Sequence, residues 1–429
     1  MGTPKYVQIA EVLQRRIAHG DYLSGALPGA PKLMQEFGIS YMTTRQAMQK
    51  LIDDGTVIRA ANGRLEVPGA PGESPKLRVA YLHHSAISLA DKWRNAISGA
   101  ARKYGCWGAI PLSWRKTPEG YHWNGYSSGM DNTPRGRDDW NGLLWFDAVA
   151  QQGLAARSIA ELAAIIGNES LRGRFQEEYR RKTDLLQHYW DPETGAFQDR
   201  RDGAFCRVLT PAIFWPMAAK MAPPEQAKQL AAHLENPEEL GGSCPCPTVS
   251  RNDPAFTPEG AYWRGSVWVP LAYVTSVALR NYGFDDAARR LTGKLLTHMD
   301  ATWRNYTPHS IWECYKPDRP EPALNSKGRI CRADFCGWSA LGPISMLIEN
   351  LIGISEVSAQ ENRIRWTSTS PRRHGIRNLR FGGNTVSLLC DAGEVSVTAT
   401  RPFTLEFNGV RHACPAGETN LVPAEPAAV

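Results

Sequence analysis

The sequence is short of the features that most quickly fix a protein's class. No run approaches the roughly 18 apolar residues that a membrane span needs. The N-terminus carries charge by position 11 and has no apolar core of the kind a secretory leader requires. The nine cysteines, at 106, 206, 244, 246, 314, 331, 336, 390 and 414, form no CxxC pair and no Cys/His cluster with zinc spacing. Reduced thiols scattered through a cytoplasmic chain are the expectation, with no metal and no cofactor. Charge of one sign is also scarce: a formal +6 over 429 residues suits a local DNA contact without requiring one.

What is present is a globular composition, 42% hydrophobic and 21% charged, on a chain long enough for two or three domains. Fourteen tryptophans are many. Indole surface is costly in water unless it packs or stacks, and flat rings against sugar faces are one use for it.

The first 68 residues have a clear local grammar. In "KYVQIAEVLQRRIAH", Val7, Ala10, Leu13 and Ile17 fall at helical spacing. Gly20, Gly25, Pro28 and Gly29 break that helix. "APKLMQEFGIS" predicts a short helix closed by Gly38, and Ser40 is the candidate N-cap of a third helix that Gly55 ends. "TVIRAANGRLEV" predicts two short strands joined through Asn62-Gly63.

This order is that of a winged helix-turn-helix, and the residues resemble the GntR family of bacterial regulators. Arg16-Ile17 and Gly20 through Pro28 match one family phrase, and Gly38, Ser40, Thr43, Arg45, Ala47, Leu51 and Gly55 match the recognition-helix phrase. The resemblance implies duplex DNA as a partner, touched by Lys32, Tyr41, Thr43, Arg45 and, at the wing tip, Gly63. Arg45 would be the major-groove reader, a chemically sensible place for a bidentate guanine contact. Lys32 and Tyr41 stand where the family carries arginines. Readers of paired half-sites work as two-fold dimers, so a homodimer is also implied.

Residues 69–106 read as a Pro/Gly/Ser linker followed by a strand and an amphipathic helix, a connector that resembles the start of a periplasmic-binding-protein-like sensor domain. From 107 to 355 tryptophan-rich loops alternate with long helices, beginning with a pair over "LLWFDAVAQQGLAARSIAELAAIIG" and "ESLRGRFQEEYRRKTDLLQHYW". Antiparallel helix pairs with loops gathered at one end are the logic of an (α/α)6 toroid. Residues 356–429 switch to period two and predict a small antiparallel, sandwich-like β-domain.

Three stretches carry chemistry: "WNGYSSGMDNTPRG", "GAYWRGSVWVP" and "SIWECYKP". Together they resemble the inverting six-hairpin glycoside hydrolases, in particular trehalases, family sixty-three α-glucosidases and mannosylglycerate-hydrolase-like enzymes. The resemblance implies Asp131 as general acid and Glu313 as general base. Asn132, Arg135 and Arg264 would bind sugar hydroxyls, and Trp123, Trp263, Trp268 and Trp338 would face the pyranose. Inversion needs two carboxyl groups roughly 6.5–9.5 Å apart, so that the second can activate a water on the far side of the sugar. The acid must keep its proton near neutral pH, which burial achieves. Asp138 and Asp139 read as an N-cap and a first-turn charge of the following helix.

A complete toroid needs about twelve helices, and about seven or eight are legible between 120 and 352. A shortfall would leave apolar helix faces open. Two functional classes follow: a glycosidase that carries a DNA-binding head, or a sugar-responsive regulator whose hydrolase-like half binds carbohydrate without efficient turnover.

Overall fold

The structure, a computed structural model, describes residues 4–18, 27–60, 63–67, 115–332, 337–368, 370 and 372–421. The expected linker and strand-helix connector lie outside the described residues, as do Asn62, Cys106 and Cys336. The chain divides into two compact units, one within residues 1–82 and one within 83–429.

In the smaller unit, α1 (Lys5–Ala18), α2 (Ala30–Phe37) and α3 (Tyr41–Asp53) precede an antiparallel pair, β1 (Ile58–Arg59) and β2 (Leu65–Glu66). Ala10, Leu13, Leu33, Ala47, Leu51, Val57 and Leu65 close one core. The caps act where the sequence places them. Gly38 ends α2 in the left-handed region at φ 58°, and the Ser40 hydroxyl accepts the Thr43 N–H at 3.2 Å to start α3. Gly63, at φ 79°, makes the turn between the strands, braced by an Arg59 guanidinium that donates to its carbonyl at 3.1 Å.

The described part of the larger unit begins with a hairpin of β3 (Arg115–Thr117) and β4 (Gly120–His122). Then come α4 (Phe146–Ile165) and α5 (Glu169–Gln187), the expected antiparallel pair. Gly167 at φ 70° and the Asn168 side chain, which accepts the Leu171 N–H at 2.9 Å, turn one into the other. The turn-rich stretch after α5 is more ordered than its sequence suggests. It forms β5 (Trp190–Asp191) with β6 (Ala196–Phe197), and β7 (Asp199–Arg201) with β8 (Ala204–Cys206). After a four-residue helix at Trp215–Ala218 come α6 (Pro224–Glu235), α7 (Val269–Arg280), α8 (Asp285–Asn305) and α9 (Gly337–Met346), the last running on as a π turn to Ile352. One apolar cluster runs from Tyr121 to Met346 through all of them.

The C-terminal strands are β9 (Ile354–Ser358), β10 (Arg363–Trp366), β11 (His374–Phe381), β12 (Asn384–Asp391), β13 (Glu394–Ala399), β14 (Phe403–Phe407), β15 (Val410–Cys414) and β16 (Gly417–Leu421). They form two four-stranded sheets, β15-β14-β10-β9 and β11-β12-β13-β16, around one core that includes Ile364, Trp366, Leu388, Val397 and Leu405. Burial alternates residue by residue along β12, β13 and β14, as the period-two pattern requires. One pairing departs from the expected antiparallel domain: β10 runs parallel to β14.

Candidate active site

The three chemical stretches are far apart in sequence, and their backbones are tied together. Asn132 is the first tie. Its side-chain carbonyl accepts the Trp263 N–H at 2.8 Å, its amide donates to the Ala261 carbonyl at 3.0 Å, and its own carbonyl accepts from Arg264 Nε at 3.2 Å. The second tie is a bridge in which Val267 and Tyr315 exchange both backbone hydrogen bonds, at 2.8 and 3.0 Å. The loop of Asp131 is thereby fixed to the loop of Trp263 and Arg264, and that loop to the loop of Glu313.

Asp131 sits in a turn that starts at Gly125. A Cβ on Gly125 would lie 2.4 Å from the Asp131 carbonyl and 2.7 Å from the Trp140 ring, so only glycine admits this approach. Burial raises the Asp131 pKa, against the pull of a hydrogen bond from its own backbone. Glu313 is buried, 6% exposed, and its backbone is held from two sides. Its N–H donates to the Arg332 carbonyl at 3.3 Å, and its carbonyl accepts the Ser339 hydroxyl at 3.0 Å. The Tyr315 hydroxyl accepts the Trp312 N–H at 3.2 Å, closing the turn around Glu313.

The expected sugar-facing residues divide. Arg135 is a correction: it is wholly buried, with no face left for a ligand. Its guanidinium donates to Asp147 at 2.8 and 2.9 Å and from Nε to Asp199 at 2.7 Å, while lying over the Trp145 ring at 4.2 Å. Burial alone would favour loss of its proton, but the two carboxylates outweigh this and push its pKa up. With one more carboxylate than cation in the cluster, burial pushes Asp199 up as well.

Trp263 and Trp268 stack on each other with centroids 4.0 Å apart, and both are buried, so neither offers an open indole face. Trp268 Nε1 donates to the Ser266 hydroxyl at 2.9 Å. Arg264 is partly exposed and pairs with Asp138. Trp123 is half-buried against the main core, and Trp338 is exposed on α9.

Asp138 and Asp139 do not cap α4, a second correction. Asp138 is taken by Arg264, and Asp139 accepts the Asn141 N–H at 3.0 Å while facing Arg201. The start of α4 is served instead by Asp199, which accepts the Phe146 N–H at 3.3 Å, and by Asp147 in the first turn. Both acids were missed in the sequence. For Asp147 a signal existed, a lone charge among the apolar residues of "LLWFDAVA". Among the described residues no His/Cys/Asp/Glu cluster could hold a metal ion, and all seven cysteines among them are free thiols. No described helix is long and apolar enough to cross a membrane.

Two family matches define the class: a glycoside-hydrolase domain following a head of the gntR type. Residues 112–339, over half the chain, match the mannosylglycerate hydrolase MGH1-like glycoside hydrolase domain, and the chain belongs to that family. Residues 5–67 match the bacterial regulatory proteins of the gntR family. A mannosylglycerate hydrolase of Rubrobacter radiotolerans is 30% identical over 143 residues, 32% of each chain. The mannosyl-oligosaccharide glucosidase of Saccharomyces cerevisiae is 25% identical over 296 residues, 62% of this chain and 34% of that one. A sialidase of known structure aligns with a TM-score of 0.52 at 13% identity, over 79% of this chain and 31% of that one, a likeness of fold alone. The chain spans about half or less of the length of these curated relatives.

Proposed function

We propose that the larger unit is an inverting glycosidase with Asp131 as general acid and Glu313 as general base, carried by a head that binds duplex DNA. The supporting observation is the tying of the two carboxylate loops through Asn132 and the Val267–Tyr315 bridge, with burial raising the Asp131 pKa. Two carboxyl groups on separate fixed loops, one of them shifted by burial toward its protonated form, are the groups that single displacement by water needs. The indole N–H groups of Trp263 and Trp312 are buried without a protein partner among the described residues. Arg264 and Trp123 complete the sugar side in this reading, with Trp263 and Trp268 as its packed floor.

We read the helical region as a partial (α/α)6 toroid and the head as a winged helix-turn-helix. The domains are then 1–68, 69–106, 107–355 and 356–429. In the head, Lys32, Tyr41, Arg45 and Gly63 are exposed, and Tyr41 and Arg45 share a face of α3 four residues apart. Thr43 is half-buried, its hydroxyl 2.9 Å from that of Ser40. Arg45 is the residue we assign to base reading, and Lys32 to the phosphates.

The relatives named mannosylglycerate hydrolase make mannosylglycerate the first substrate to try, alongside aryl α-glycosides. Release of sugar by the full chain and none by Asp131→Asn supports the enzyme. The second reading, a sugar-responsive regulator, is favoured by the gntR match. It predicts heat of sugar binding in calorimetry with no turnover by wild type.

A further inference from the structure

Two thiols meet beside Glu313. Cys314 follows that residue directly, and Cys331 lies 17 residues beyond it. Ala323 brings them together. In a regular antiparallel ladder a hydrogen-bonded residue exchanges both of its backbone bonds with one partner. Ala323 divides its two: its N–H donates to the Cys314 carbonyl at 3.1 Å, and its carbonyl accepts the Cys331 N–H at 2.9 Å. The two cysteines thus stand side by side opposite one residue. The Cys331 thiol donates to the Cys314 carbonyl at 3.2 Å, and the two thiols are themselves in hydrogen-bonding contact. A disulfide tolerates little error in the approach of its two chains, and here the chains are already fixed at that approach. Another buried thiol is placed differently: Cys246 lies 3.2 Å from the Thr275 hydroxyl.

We propose that Cys314 and Cys331 are a modification site, a thiol pair that a peroxide closes into a disulfide next to Glu313. Cys314 has no exposed surface, whereas Cys331 keeps 4% of its own between the exposed Ile330 and Arg332, so the oxidant meets Cys331 first. Acidity gives the same order. Hydrogen bonding with the Cys314 thiol lowers the Cys331 pKa, while burial raises that of Cys314. The Cys331 sulfur attacks one oxygen of the peroxide and the O–O bond breaks. Cys331 becomes a sulfenic acid, and the departing hydroxide leaves as water with the thiol proton. The Cys314 sulfur then attacks the sulfenic sulfur, the S–S bond forms, and the S–O bond breaks to release a second water. Two thiols lose two electrons and hydrogen peroxide is reduced to two waters. The bridge closes beside the bond from the Glu313 N–H to the Arg332 carbonyl, so it fixes the turn that carries this carboxylate. It requires neither hydrolysis nor DNA and stands apart from the glycosidase reading.

Peptide mapping of the full chain tests it. Reduced protein, freed of reductant, is exposed to a small molar excess of hydrogen peroxide. Remaining thiols are then blocked with N-ethylmaleimide in denaturant before digestion and mass spectrometry. In wild type the Cys314 and Cys331 peptides should be recovered joined, lighter by the hydrogens lost, and dithiothreitol should part them. Cys314→Ser should lose the bridge and leave at Cys331 a sulfenic acid that dimedone captures. Cys331→Ser should lose both the bridge and the dimedone adduct. Cys246→Ser, at the thiol that faces Thr275, should keep the bridge. Wild type in which Cys314 and Cys331 still take up maleimide while the partly exposed Cys206 is oxidised overturns the proposal. A bridge from either residue to a different cysteine, or one that forms only in chain unfolded by urea, overturns it equally.

Discussion

The head and the hydrolase unit use arginine in opposite ways. Arg45 stands exposed on α3, with its guanidinium offered to solvent. Arg135, in a motif just as conspicuous, is buried completely between Asp147 and Asp199 and holds the start of α4 against the loop of Asp131. A residue type inside a motif therefore says less than its burial. Lys32, Tyr41 and Arg45 are exposed and have little structural work, so their removal should cost binding and leave the fold intact. In the hydrolase unit the same motif is divided between chemistry and scaffold.

The largest effects should come from the two carboxylates. Asp131→Asn and Glu313→Gln should each lower turnover by about 10²–10⁴-fold while leaving the circular dichroism spectrum unchanged. Next is Arg135→Ala, which strands two buried carboxylates; urea unfolding should show a loss of about 3–5 kcal/mol. Arg135→Lys should recover only part of this, because an ammonium cannot bridge both acids in the plane. Asn132→Ala leaves the Trp263 N–H without its acceptor and should cost about 1–3 kcal/mol, with a fall in turnover from the loosened loops. Arg45→Ala should lose about 1–3 kcal/mol of binding to a selected DNA site with an unchanged melting temperature. Equal melting losses for Arg45→Ala and Arg135→Ala would dissolve the contrast between the two regions.

The smallest effect concerns pH. Burial raises the Asp131 pKa, so the native state holds this proton more tightly than the unfolded chain does. The stability it contributes is present below the ordinary carboxyl range and is lost as pH rises through the raised value. At neutral pH Asp131→Asn should thus melt slightly higher than wild type, and the difference should vanish in acid. The same titration predicts that turnover falls as pH rises through that pKa. A catalytic acid kept at some cost to stability is the familiar trade between the two.

Most of the head was legible in the sequence because its signals are local. Apolar periodicity gave α1, Gly38 and Ser40 gave the boundary between α2 and α3, and glycine at 63 gave the turn. In the larger unit the long helices were legible for the same reason, and the alternation in β12 to β14 gave the C-terminal sheets. Strands of two or three residues, such as β5 to β8, carry no periodicity by which a sequence could announce them. The parallel pairing of β10 with β14 is a long-range choice with no local signature. The site followed the same rule. Motifs named its loops, but nothing local shows that Asn132 reaches residues 261–264, or that Asp199 reaches across to the first N–H of α4. Pairing across such distances is decided by packing.

The central claim is that Asp131 and Glu313 act on opposite sides of a glycosidic bond in a single displacement. Proton NMR of the first product formed from an α-glycoside by the full chain tests this most directly. The account predicts that the β-anomer of the released sugar appears first and the α-anomer grows in only by mutarotation. An α-anomer released first would mean a double displacement, and Glu313 could not then have the role of a base that activates water.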